Sequence, residues 1–380
     1  MTRASTPFAT NAGLGARSAR IVARLGPMVG LLCVWLLFAA LKRGDFVAWH
    51  NQRLMLLQTA VVGTAAVGAT LVIISGGIDL SVGSSIALGT MVVALLLKAG
   101  HAPLAAALGT VAAAALWGSA IGAMVIGHVG RVAAIVLGML TVHWTWKAAG
   151  PLGATAAGIG VVAVIGAFNE FALKRLPLSP FIVTLGMWGA LRGAAKGLGD
   201  NQPVYPEHAG WLNDLLTTST SGIGRILPPG VWLLLGLALL MGGVLRYTKF
   251  GRHVFAIGSN EQTARLCGIH VERTKLLIYM IAVACAGLAA LLQFSFLSMG
   301  DPTTADGYEL KVIAAVVIGG ASLSGGEGSI LGTIVGALIM TIVDNGCTKL
   351  GMQNWVQEIV TGGIIVTAVA LDRWRHRRAE

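Results

Sequence analysis

Long apolar runs recur from one end of this chain to the other, and no feature constrains it more. A helix needs about 20 apolar residues to cross roughly 30 Å of hydrocarbon. Runs of that order lie near 25–41, 54–75, 80–98, 103–127, 131–148, 152–173, 180–198, 230–246, 275–297, 310–322, 329–345 and 355–371. These twelve candidates, two of them shortened by glycine, predict an all-α polytopic membrane protein of about 10–12 transmembrane helices. Hydrophobic residues make up 55% of the 380 and charged residues only 11%, a balance that excludes an ordinary water-soluble domain. Arg17, Arg20 and Arg24 precede the first run as in a signal peptide, but Lys42 and Arg43 follow it rather than a small-residue cleavage site, so it is kept as a span.

The net charge of +11 does not mark a nucleic-acid partner, because the basic residues sit in short clusters between apolar runs. With the N-terminus in the cytoplasm, alternating spans place 17 of the 27 Lys and Arg inside, as the positive-inside rule requires. The predicted organisation is a cytoplasmic segment 1–24, a membrane domain 25–371 with a charged inner loop 246–275, and a basic cytoplasmic tail 372–380. Asp200, Glu207, Asp214, Asp301, Asp306 and Glu309 then fall outside. Cys33, Cys267, Cys285 and Cys347 are scattered without disulfide or metal spacing.

Shifting the sequence by 243 residues superposes Gly76, Gly77, Leu80, Ser81, Gly83, Leu88, Gly89 and Thr90 on Gly319, Gly320, Leu323, Ser324, Gly326, Leu331, Gly332 and Thr333. Eight spans separate the copies, so the repeat is parallel, about an axis along the membrane normal. Each copy reads as a helix end, a Gly-rich break, and a new helix capped by a short polar side chain. Irregular backbone at membrane depth is tolerated only where protein or a water-filled cavity satisfies it, so the two breaks are the best pointers to a translocation path. Asp79 is either a charge lining that path or a cap, and its repeat partner Ser322 is another good capping residue. A weaker similarity links Gly122, Ala123, Leu137, Gly138 and Met139 to Gly166, Ala167, Leu185, Gly186 and Met187 and suggests a duplicated pair of spans.

The inner loop reads RYTKFGRHVFAIGSNEQTARLCGIHVERTK. Ser259 or Asn260 is placed to cap a short helix that Gly268 ends. Glu261 and Arg265 pair at i,i+4 on one side, and Ala264, Leu266 and Cys267 supply a small apolar face. Such a helix at the cytoplasmic surface suits a lever for a soluble motor domain.

Three motifs, GGIDLSVG at 76–83, PFIVTLGMWGALRG at 180–193 and GRHVFAIGSNEQTARLCGI at 251–269, resemble the sugar permeases of bacterial ABC importers, the ribose, xylose, arabinose and galactoside group. The resemblance spans nearly the whole chain. It implies two permease subunits, as a homodimer, in the inner membrane, two cytoplasmic ATP-hydrolysing subunits, and a periplasmic binding protein that delivers a small sugar. It also matches Glu261, Ala264 and Gly268 to the loop that docks in the ATPase. An extra span pair over roughly 120–175 departs from the common ten-span pattern and fits either the longer xylose-type members or a lineage-specific insertion. His143, Trp144 and Trp146 stand where the other copy has Arg192, and Trp144, Trp146 and Trp188 are candidates for stacking on a sugar.

No phosphate-binding loop ending in Lys-Ser or Lys-Thr, no metal-spaced His or Cys, and no nucleophile–base pair is present, so the chain is read as a non-enzyme without a bound cofactor. The rival reading is an ion- or proton-coupled secondary transporter, which needs buried ionisable groups; Asp79, Glu170, Arg192, Asp344 and Glu358 are the few available.

Overall fold

A computed structural model describes residues 12–168, 178–217 and 227–377. Their regular structure is helical: α1 (Ala12–Leu41), α2 (Arg43–Val47), α3 (Trp49–Ile74), α4 (Val82–Lys98), α5 (Pro103–Val125), α6 (Val129–Phe168), α7 (Pro180–Leu198), α8 (Pro229–Tyr247), α9 (Lys249–Ser259), α10 (Glu261–Leu266), α11 (Val271–Leu297), α12 (Tyr308–Ile318), α13 (Ile330–Lys349) and α14 (Asn354–Arg377). Five of them, α3, α5, α8, α11 and α13, are long and apolar enough to cross a membrane on length and composition. Every candidate span coincides with a helix or half-helix. The spans expected at 131–148 and 152–173 are the halves of α6, folded about Gly150 at φ +67°, and residues 169–177 lie outside the described residues.

The centre is α3 and α11, packed on each other and flanked by α4, α5, α12 and α13. Small residues set their spacing, which is how helices approach without a hydrophobic drive from water. A Cβ on Gly68 would stand 2.5 Å from the Ala282 carbonyl oxygen, and one on Gly118 2.8 Å from that of Tyr279. Eighteen residues of α3 are buried, so this helix is wrapped on all sides by protein. The α6 hairpin instead closes on itself, Gly138 against Gly158, and packs mainly on α5, as an added pair of helices at the periphery would.

Polar pairs pin the outer flank. Asn51 and Asn345 exchange two amide hydrogen bonds, of 2.8 and 3.0 Å, between α3 and α13. Lys311 on α12 meets Asp344 on α13 at 2.5 Å. The expectation that 310–322 is a full span needs correcting. The helix α12 has only 11 residues, because 298–307 turns back from the end of α11 before it starts. Positive φ at Ser298, Ala305 and Gly307 makes that return possible.

Candidate translocation and coupling site

Both Gly-rich breaks exist and share their geometry. At the end of α3, Gly76 N–H donates to the Ile73 carbonyl and Gly77 N–H to that of Val72, while Gly76 takes φ +80°. At the end of α12, Gly320 N–H donates to Val317 and Ala321 N–H to Val316, with Gly320 at φ +92°. These are Schellman ends, in which glycine enters the left-handed region and satisfies the last carbonyls. The second lies one residue later in the repeat register, at Gly319 and Gly320, because α12 runs one residue further.

Beyond each end the chain makes the same side-chain turn. Asp79 Oδ1 accepts from Ser81 N–H at 2.8 Å and from Ser81 Oγ at 2.6 Å. The repeat partner Ser322 accepts through Oγ from Ser324 N–H at 3.2 Å. Asp79 therefore organises its turn two residues ahead, and Ser81 itself stands at the N-cap of α4. It is buried, as are Ser81 and Ser322, and its Oδ2 has no hydrogen-bond partner. The second break is longer: α13 starts only at Ile330, capped by Ser329, whose Oγ accepts from Gly332 N–H.

The breaks touch each other and the inner loop at one junction. Gly326 N–H donates to the Ile74 carbonyl at 2.8 Å. Thr70 and Thr333 hydroxyls meet at 2.8 Å just above. The C-terminal end of α9 closes the junction: a Cβ on Gly258 would overlap the Ile74 carbonyl oxygen and stand 2.6 Å from Gly326 N. One on Gly325 would lie 2.7 Å from the Gly258 carbonyl oxygen and 3.1 Å from Gly76 Cα. Only glycine fits where three backbones come this close.

The loop itself is two helices. Thr248 caps α9, and Asn260 caps α10 by accepting from Thr263 N–H at 2.8 Å. At the far end Gly268, at φ +83°, donates to Arg265 and Ile269 donates to Ala264, a third Schellman end. Ala264 is buried against Ile257 and Val271. The expected apolar face is thus split, since Leu266 is 88% exposed and Cys267 is exposed, both turned away from the chain. Glu261 holds Arg265 at 3.5 Å and Lys275 at 2.6 Å, and Arg265 also reaches Glu272 at 3.7 Å. Partial burial pushes the Glu261 carboxyl up, but the Lys275 hydrogen bond and the charges of Lys275 and Arg265 outweigh it and hold it below its usual range.

A second polar group lies deeper. Gly83 faces Glu309 Oε2 and the Ala305 carbonyl so closely that a Cβ would overlap them. The returning 298–307 segment carries Asp306 and Glu309 beside the start of α4. Arg192 of α7 meets them, donating to the carbonyls of Thr304 at 2.6 Å and Pro302 at 3.2 Å, with Asp306 at 3.8 Å. Sequence reasoning singled out Arg192 but not its partners, although Gly300 and Gly307 around 301–306 were a signal for a tight return. The side chains of Trp144, Trp146 and His143, and all of Glu170, lie outside the described residues. Asp344 is matched by Lys311, and Glu358 is exposed on α14.

A helical membrane domain with paired breaks, gripped from below by a helical loop that displays an apolar tip, defines a transporter's membrane subunit rather than an enzyme. Residues 125–369 match the family described as branched-chain amino acid transport system, permease component, and the chain belongs to that family. It is 34% identical over 336 residues to the ribose import permease protein RbsC of Escherichia coli (strain K12), covering 86% of this chain and 87% of that protein. It is 32% identical over 356 residues to RbsC of Bacillus subtilis (strain 168), 93% and 94% of the two chains. With the xylose transport system permease protein XylH of Escherichia coli (strain K12) it shares 32% over 409 residues, 93% and 92%. No solved structure matches it.

Proposed function

We propose that this chain is the membrane-spanning subunit of an ATP-driven importer that moves a small sugar, a pentose such as ribose or xylose, across the bacterial inner membrane by alternating access. The substrate class rests on the relatives, which are named for ribose and xylose. The observation that carries the mechanism is the junction of Gly258 with Ile74 and Gly326, since it joins the inner loop directly to both breaks. A cytoplasmic ATPase subunit would seat the α10 tip, Leu266 and Gly268 foremost, and carry the ATP. Its closure would push α9 against the breaks and shift α3–α4 relative to α12–α13. A periplasmic sugar-binding protein would deliver substrate to the opposite face, beside a second permease copy, with lipid around the rest and both termini in the cytoplasm.

Uptake of labelled ribose and xylose into inverted-topology-controlled proteoliposomes, made with the chain and its co-purified ATPase, tests this reading. ATP in the loop-facing compartment should drive accumulation, and an ion or proton gradient alone should not. Gradient-driven uptake that persists without ATP would favour a secondary transporter instead.

A further inference from the structure

The two helices α4 and α11 run in register, Gly77 beside the Tyr279 hydroxyl and Gly89 beside the Ala290 methyl. Gly83 lies six residues before Gly89, about 9 Å lower along the axis at roughly 1.5 Å per residue. That is the level of Ala284, the middle of the 27-residue α11. Arg192, Asp306 and Glu309, which cluster around Gly83, are thus charged groups at mid-membrane depth.

Their environments differ in a telling way. The Arg192 side chain is 10% exposed, yet Asp306 beside it is 77% exposed in the single chain. A carboxylate facing hydrocarbon at that depth is heavily penalised, so the surface carrying Asp306 opens on water. Two buried polar atoms around it have no hydrogen-bond partner, Glu309 Oε2 and Nε1 of Trp188, one turn from Arg192 on α7, and Arg192 Nη2 has the 3.8 Å ion pair with Asp306 but no hydrogen bond. Unpaired polar atoms in low dielectric are costly unless something pairs with them. A guanidinium fork, two carboxylates and an indole together match the hydroxyl pairs and the apolar face of a sugar ring. The carbonyls of Pro302 and Thr304 fix Arg192, so the site is preformed.

Resting on the importer reading, we propose that Trp188, Arg192, Asp306 and Glu309 form a mid-membrane way station, where a polyhydroxylated ring is held as it crosses. The sugar is passed down from this station toward the Gly-rich breaks, and the returning 298–307 segment is its outer wall.

The test is thiol labelling of Asp306→Cys in a Cys33→Ser, Cys267→Ser background, with the chain in its complete importer and a charged, membrane-impermeant methanethiosulfonate as probe. Leu239→Cys, 76% exposed on α8, is the lipid-facing comparison. Asp306→Cys should react more than about tenfold faster than Leu239→Cys, because the charged reagent is excluded from hydrocarbon. Saturating ribose or xylose should slow that labelling. Labelling no faster than at Leu239→Cys, or labelling whose rate saturating sugar leaves unchanged, overturns the proposal. A parent importer that takes up no sugar with ATP would sink the functional reading separately, because the water access of Asp306→Cys is still measured.

Discussion

Replacing Gly258 with alanine should uncouple the importer without unfolding it. The added methyl would overlap the Ile74 carbonyl oxygen and crowd Gly326 N, both backbone atoms that no rotamer change can move. Relief requires the Ile74 carbonyl and Gly326 to be pushed off the methyl, which stretches the 2.8 Å bond between them. Overpacking of this kind costs roughly 1–3 kcal/mol, and the lost hydrogen bond about 1 kcal/mol more. The closed junction is then disfavoured by about 2–4 kcal/mol, or some 30- to 700-fold at 1.4 kcal/mol per factor of ten. Ile74 is the last residue of α3, so the strain sits at one end of the α3–α11 packing rather than within it. The assay is sugar transported per ATP hydrolysed in proteoliposomes, with Gly243→Ala on α8, where a Cβ meets nothing within 4 Å, as the control. Gly258→Ala should keep its ATPase activity and lose more than about tenfold in coupled uptake. Coupling equal to that of Gly243→Ala would refute the idea that force passes through this contact.

The α10 region should loosen in acid. With its carboxyl held below the usual value, Glu261 stabilises the loop above 4.5, the ordinary glutamate value, and that contribution is lost as pH falls through the lower folded value; the protection factors of the α10 amides, taken relative to their intrinsic exchange rates, should fall there in the native chain and stay constant over the same window in Glu261→Gln. Asp344→Asn leaves Lys311 unmatched between α12 and α13 and should lower stability by about 3 kcal/mol, seen as a reduced Tm in detergent. The double variant Lys311→Met, Asp344→Leu should recover most of that loss, whereas equal Tm values for all three would show that the pair is idle.

Much of this architecture is written in local sequence. Apolar runs fix the spans because the bilayer sets their length. The breaks were legible because glycine and short polar side chains leave few alternatives to a Schellman end followed by a side-chain turn, and the Asp79–Ser322 correspondence reappears as the same hydrogen bond. Asn260 and Gly268 likewise announce the ends of α10. What stayed hidden is set by tertiary packing. Sequence reasoning assigns no helix to 249–259, where the amphipathic α9 lies, and its closing Gly258 has meaning only beside Ile74 and Gly326. The meeting of Glu309 with Gly83 and of Asp306 with Arg192 was hidden too, because hydropathy counts spans and is blind to a segment that turns back. The split face of α10 is similar, since helical spacing groups Ala264 with Leu266 and Cys267 while packing on Ile257 and Val271 takes only Ala264.

The central claim, that this chain is driven through α10 by a separate ATPase, is most directly tested by detergent pull-down of the tagged chain from its native membranes, with mass spectrometry of what remains bound. The account predicts an ATP-hydrolysing subunit in the native pull-down and its loss from Gly268→Asp, whose carboxylate would stand beside Leu266 at the exposed tip. Repeated recovery of the chain without any ATPase, or the same ATPase bound equally by Gly268→Asp, would contradict it.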